Sequence, residues 1–98
     1  MPKYLIMWEL DADKVPIDPK ERAQGWLLMT DMIKQDLIEG KDSDWGCFVG
    51  QTRGYAITEQ SEIDVMKDLQ RFFPLVRFEA HQVVSIDDIA TLAKSMME

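Results

Sequence analysis

The sequence predicts an α+β fold in which the elements run β-α-β-β-α-β, with one further helix at the C-terminal end. Two observations carry this: short segments with strand character alternate with longer stretches of 3.6-residue apolar spacing, and almost every junction between them holds a capping or turn residue.

Lys3 to Leu10 (KYLIMWEL) reads as the first strand, with Tyr4, Ile6, Trp8 and Leu10 on one face and Leu5 and Met7 on the other. Asp11 to Ile17 is a loop holding Pro16. Asp18-Pro19-Lys20-Glu21 then starts a helix: Asp18 caps, Pro19 suits the first turn, and Glu21 sits where a capping-box carboxylate belongs. Ala23, Trp26, Met29, Ile33 and Leu37 make its apolar stripe, and Gly40 closes it. After a polar loop over Lys41 to Asp44, Trp45 to Val49 and Tyr55 to Thr58 read as short strands joined by Gly50-Gln51-Thr52-Arg53-Gly54. Ser61-Glu62-Ile63-Asp64 caps a second helix with Val65, Met66, Leu69, Phe72 and Phe73 on its buried face, and Pro74 ends it. Val76 to Val84 is the fourth strand. Ser85-Ile86-Asp87-Asp88 caps a last helix carrying Ile89, Leu92, Ala93 and Met96.

The 98 residues suffice for a single domain and are too few for two. The first six elements fit the split βαβ, ferredoxin-like arrangement, a four-stranded antiparallel sheet with helices on one face. Both faces of the first strand are largely apolar, so the face without helices needs cover. A second copy of the sheet supplies it most simply, which predicts a two-fold homodimer.

Composition narrows the function classes. The net charge is −7, and the basic residues are scattered, which argues against nucleic acid and anionic membrane surfaces. No apolar run reaches the length of a membrane helix, and the N-terminus lacks the features of a signal peptide. Cys47 is the single cysteine and has no disulfide partner, so the expected location is the cytoplasm. With His81 the single histidine, neither a zinc nor an iron–sulfur site can be assembled, and nothing points to a cofactor. Cys47 sits in an apolar segment and reads as an inert, buried thiol.

Arg53-Gly54-Tyr55-Ala56, Phe72-Phe73-Pro74 and Val83-Val84-Ser85-Ile86-Asp87-Asp88 together resemble the dimeric α+β barrel superfamily. Asp18-Pro19, Gly54-Tyr55 and Phe73-Pro74 are similar to the muconolactone isomerase-like group. Trp8, Arg53-Gly54-Tyr55 and Ile86-Asp87-Asp88 are similar to a set of small uncharacterised proteins. The resemblance implies a two-sheet barrel dimer with a pocket between the sheet and helices of each subunit.

The candidate catalytic residues are His81, Glu79 and Glu9. His81, of the side-chain type suited to proton transfer at neutral pH, shares a strand face with Glu79 and Arg77, as an acid/base held by a carboxylate would. A salt-bridged polar row would look the same. Glu9 approaches that row if the first and fourth strands pair. Trp8, Trp26 and Tyr55, with Arg77, are the candidate ligand-binding residues, since aromatic rings suit a flat apolar ligand; all three rings also fit a plain core. Three functions stay open. The first is a protein binding a small apolar or aromatic carboxylic molecule. The second is an isomerase-like or cofactor-independent enzyme using His81. The third is a structural or partner-binding module.

Overall fold

In the computed structural model, which describes residues 1–98, the chain alternates strands and helices in the order the sequence predicts. Lys3–Leu10 form β1, Pro19–Glu39 α1, Asp42–Cys47 β2, Arg53–Glu59 β3, Glu62–Gln70 α2, Val76–Val83 β4 and Ile86–Ser95 α3. The fold is α+β, with an open four-stranded antiparallel sheet in the order β2-β3-β1-β4 and three α-helices.

Side chains set the helix starts. The Asp18 carboxylate accepts from the Glu21 backbone N–H, the Ser61 hydroxyl accepts from Asp64, and Ser85 and Asp88 form a reciprocal capping box. Gly40 ends α1 in the left-handed region at φ 77°.

Several boundaries differ from expectation; β3, for one, runs over Arg53–Glu59. Ala12–Lys14 form a short 3-10 turn within the first loop, held by the Asp11 side chain. β2 begins at Asp42, inside the segment expected to be a polar loop, and ends at Cys47. Pairing with β3 overrides the poor strand propensity of Asp42, Ser43 and Asp44, at the cost of an irregularity between Asp42 and Asp44. Phe48 and Val49 belong to the turn, where the Phe48 N–H donates to the Arg53 carbonyl.

The sheet buries one face. Ile6, Trp8 and Leu10 of β1 and Gly54, Ala56 and Thr58 of β3 point to the helices, where they meet Met29 and Ile33 of α1 and Val65 of α2. Leu5, Met7, Tyr55 and Ile57 lie half-buried on the other face, which no element of the chain covers. Trp8 and Trp45 stack across the buried face with ring centroids 5.1 Å apart and planes 9° apart. β3 runs between their strands, and it allows this because it places Gly54 and Ala56 beneath the rings. A Cβ at Gly54 would lie 2.8 Å from the Trp8 indole and collide with the Gly46 carbonyl, so no side chain fits there.

Two expected burials do not occur. Cys47 is exposed, because it ends an edge strand. Met66 and Phe73 of the expected α2 stripe are 62% and 68% exposed, since α2 stops at Gln70 and turns only Val65 fully inward. Every residue from Glu79 to Glu98 is exposed. The end of β4 and all of α3 stand away from the body, and the molecule is 62 Å long but only 25 and 20 Å across.

Candidate functional site

The helices do not seal the sheet. A cavity with about 560 Å³ of empty space, its open mouth included, lies between the sheet, α1 and α2. The room left for a guest within it is small, about 50 Å³. Ile6, Trp8, Trp45 and Phe78 form an apolar wall, and Asp36, Asp42, Thr58, Gln60, Asp68 and Arg71 form a polar end.

The polar end is built from three elements and the loops beside them. Asp36 falls at the third step of the α1 stripe after Met29 and Ile33, so the helix carries its carboxylate inward until it is 4% exposed. Arg71, just past α2, meets it with both terminal guanidinium nitrogens, Nη1 donating at 3.2 Å and Nη2 at 2.5 Å. This bidentate pairing holds the Arg71 guanidinium above its usual value, chiefly through the Asp36 hydrogen bond. Gln60 Nε2 donates to Asp68 Oδ2 at 2.9 Å and to the Thr58 hydroxyl at 2.7 Å, and Thr58 donates to the Lys41 carbonyl. No buried side-chain polar atom is left without a partner.

Asp42 differs from its neighbours. Burial, with the nearby Asp36 and Asp68 carboxylates adding to it, pushes its carboxyl up from 3.8 to about 6. Three carboxylates thus face one guanidinium already committed to Asp36. The carboxylates do not converge as a metal-ligand set. Chemically the cavity offers a hydrophobic slot ending in hydrogen-bond acceptors and a carboxyl that exchanges its proton near neutrality.

The structure divides the sequence-predicted residues between the two faces of the sheet. Trp8 lines the cavity. Trp26 meets Trp8 edge-on with centroids 6.3 Å apart, but its own cleft lies against Val15 and Leu10. Tyr55 is on the opposite face, where its ring covers Gly46 and its hydroxyl donates to Asp44 Oδ2 at 2.7 Å. That hydrogen bond, more than partial burial, raises the Tyr55 phenol above its usual value. Glu9, Arg77, Glu79 and His81 share Tyr55's face. Strands β1 and β4 do pair, placing Glu9 opposite Arg77 on one side and Arg53 on the other. Glu9 and Glu79 border one open depression with both arginines, Arg77 on the Glu79 side of Glu9 and Arg53 on the other. His81 Nε2 lies 3.2 Å from Glu79 Oε1, while Arg77 turns to Asp11 at 3.6 Å. The expected acid/base residues and the expected aromatic slot are therefore separated by the thickness of the sheet.

Sequence reasoning missed Trp45, Asp36, Asp42, Thr58, Gln60 and Arg71. One signal was available: Met29, Ile33 and Asp36 fall at i, i+4 and i+7, so an aspartate continues an apolar stripe.

Fold and site together define a small α+β protein with an open four-stranded antiparallel sheet and a half-open cavity beneath its helices. No helix is long and apolar enough to cross a membrane. No protein-family model matches the chain, and no curated protein matches it.

Proposed function

We propose that the chain is a ferredoxin-like half of a dimeric α+β barrel, and that each subunit binds a small, flat, apolar or aromatic ligand between its sheet and helices. The cavity carries this reading: its wall is made of indole and phenyl rings, and its far end is lined by carboxylate, amide and hydroxyl groups. The acidic polar end disfavours an aromatic carboxylate, which would meet Asp36, Asp42 and Asp68 without a free cation. It favours a neutral or amine-bearing ring that donates to them. The uncovered apolar patch of Leu5, Met7 and Ile57 supports dimerisation through the bare face of the sheet.

Indole, phenethylamine and benzoate test this as probes of one size and three charges. Indole and phenethylamine are expected to raise Tm and quench the fluorescence of the Trp8–Trp45 pair, and benzoate to do neither. A Val65→Phe variant, which fills the cavity from the α2 side and leaves the small residues under the rings in place, should lose both responses. Absence of any response to the first two probes, or an equal response in Val65→Phe, refutes the reading.

The 3.2 Å contact between His81 and Glu79 favours a second reading, an isomerase-like or cofactor-independent enzyme whose acid/base is His81 on the opposite face. Once any turnover is found, His81→Ala should abolish it, and unchanged turnover removes His81 from that role.

A further inference from the structure

We infer that α3 is an exchanged arm, which in the dimer proposed above leaves its own chain and seats its apolar stripe in the groove between α2 and β4 of a second copy. The inference rests on that dimer and adds to it a second contact, separate from the bare face of the sheet.

The helix is well formed but has nothing to pack on. Ser85 and Asp88 close a complete capping box, and Ile86, Ile89, Leu92 and Met96 follow at helical spacing. None of its residues is buried, and Ile86 is 81% exposed. A ten-residue helix is marginal alone in water and gains its stability from burying such a stripe.

The whole chain shows the same deficit. Its radius of gyration is 16.5 Å, against about 13 Å for a compact chain of this length. Its accessible surface is 7290 Å² for 11.4 kDa, against about 5,800 Å² for a folded monomer of that mass. The excess is about 1,500 Å² per chain. Two chains burying it on each other would lose about 3,000 Å², well within the range of obligate homodimers.

The complementary surface is on the same chain. An open groove between α2 and β4 is lined by the exposed Met66 and Phe73 and the half-buried Leu69 and Phe78. Lys14, Arg77 and Asp11 stand at its rim, with Arg77 paired to Asp11 at 3.6 Å, which leaves Lys14 as the charge opposite to Asp87 and Asp88 in the first turn of α3. The helix and the groove do not meet within the chain. The groove lies at the Val76 end of β4, while α3 departs from the Val83 end through Val84 and Ser85 alone. Phe78, the groove residue nearest that end, is about 17 Å of strand from Val83, and α3 lies exposed along its whole length. An arm and a groove left apart within one chain can meet reciprocally in a closed two-fold pair.

Light scattering after size exclusion, with directed crosslinking, tests this on the full chain. Wild type should run as a dimer, and Ile89→Asp/Leu92→Asp should weaken it at least ~100-fold, as loss of two buried anchors at each of two sites requires. Thr91→Asp, on the polar side of α3, should leave it intact. In a Cys47→Ser background, a Leu92→Cys chain and a differently tagged Met66→Cys chain, refolded together and oxidised, should give a disulfide-linked heterodimer. A monomeric wild type overturns both the arm and the dimer. A dimer indifferent to Ile89→Asp/Leu92→Asp, or weakened as much by Thr91→Asp, overturns the arm and leaves the sheet-faced dimer standing. Closure of the disulfide within a single Leu92→Cys/Met66→Cys chain overturns the exchange.

Discussion

Replacing Asp42 by Asn should stabilise the protein at neutral pH and have progressively less effect in acid. Asp42 sits half-buried at the polar end of the cavity. Burial first, then the Asp36 and Asp68 carboxylates, raise its carboxyl, Arg71 and Lys41 pull the other way, and the net value is about 6. Below the unfolded value of 3.8 the group is protonated in both states and its charge contributes no difference. Between that value and about 6 the folded state keeps a proton that the unfolded state releases. Above about 6 both states are ionised, and the folded one bears the full cost of a desolvated carboxylate. The favourable contribution of Asp42 is thus complete at low pH and lost as pH rises through the folded value. The gap corresponds to about 3 kcal/mol for a fully buried group, and solvent at the half-open site screens it to about 1–2 kcal/mol. Asn has nearly the same shape and no charge, and its altered hydrogen bonding weighs equally at every pH. Urea unfolding between pH 4 and pH 8, at fixed protomer concentration, should therefore show the advantage of Asp42→Asn over wild type growing by about 1–2 kcal/mol. A constant difference, or one that grows toward acid, refutes the assignment of Asp42 as a carboxyl strained by burial.

Arg71→Met strands the buried Asp36 carboxylate and should cost about 3 kcal/mol, while Asp36→Leu/Arg71→Met should recover much of it; chemical denaturation of the double-mutant cycle reads the coupling. Gly54→Ala drives a methyl group into the Gly46 carbonyl and the Trp8 ring, so a loss of about 3 kcal/mol or more is expected, visible as a drop in Tm or in soluble yield. Gly46→Ala presses only on the Tyr55 ring, which can swing aside, and should cost about 1–2 kcal/mol by the same measurement. The exposed Cys47 thiol should react fully with Ellman's reagent in the native state, and failure to react would contradict its position at the end of an edge strand.

The order of elements was legible because it depends on local signals. Asp18, Ser61 and Ser85 each cap the helix that follows them, and Tyr4, Ile6, Trp8 and Leu10 alternate as a buried strand face must. The start of β2 was not legible, because Asp42, Ser43 and Asp44 are poor strand formers held in the sheet only by their partners on β3. The same limit hid most of the cavity. Asp36 and Arg71 are 35 positions apart in sequence, and neither alone distinguishes a cavity from a solvated surface. Trp8 was found because strand alternation placed it inward. Tyr55 and His81 were grouped with it because sequence position says which residues share a strand face but not, across strands, which faces coincide. That needs the register, and the register puts Tyr55 opposite Met7 rather than beside Trp8.

The stacked indoles have an optical consequence. Two tryptophans held face to face, nearly parallel and at close range, couple their transitions, and an in-plane skew between the rings gives a paired signal in circular dichroism that neither ring gives alone. Trp8 and Trp45 reach this geometry only when β2, β3 and β1 are all in register, because each ring rests on a small residue of the strand between them. A one-residue slip of β3 would bring a tyrosine or isoleucine under the rings and part them. The protein therefore carries its own alignment gauge, one that responds to the fit of three strands and is silent when any one is displaced.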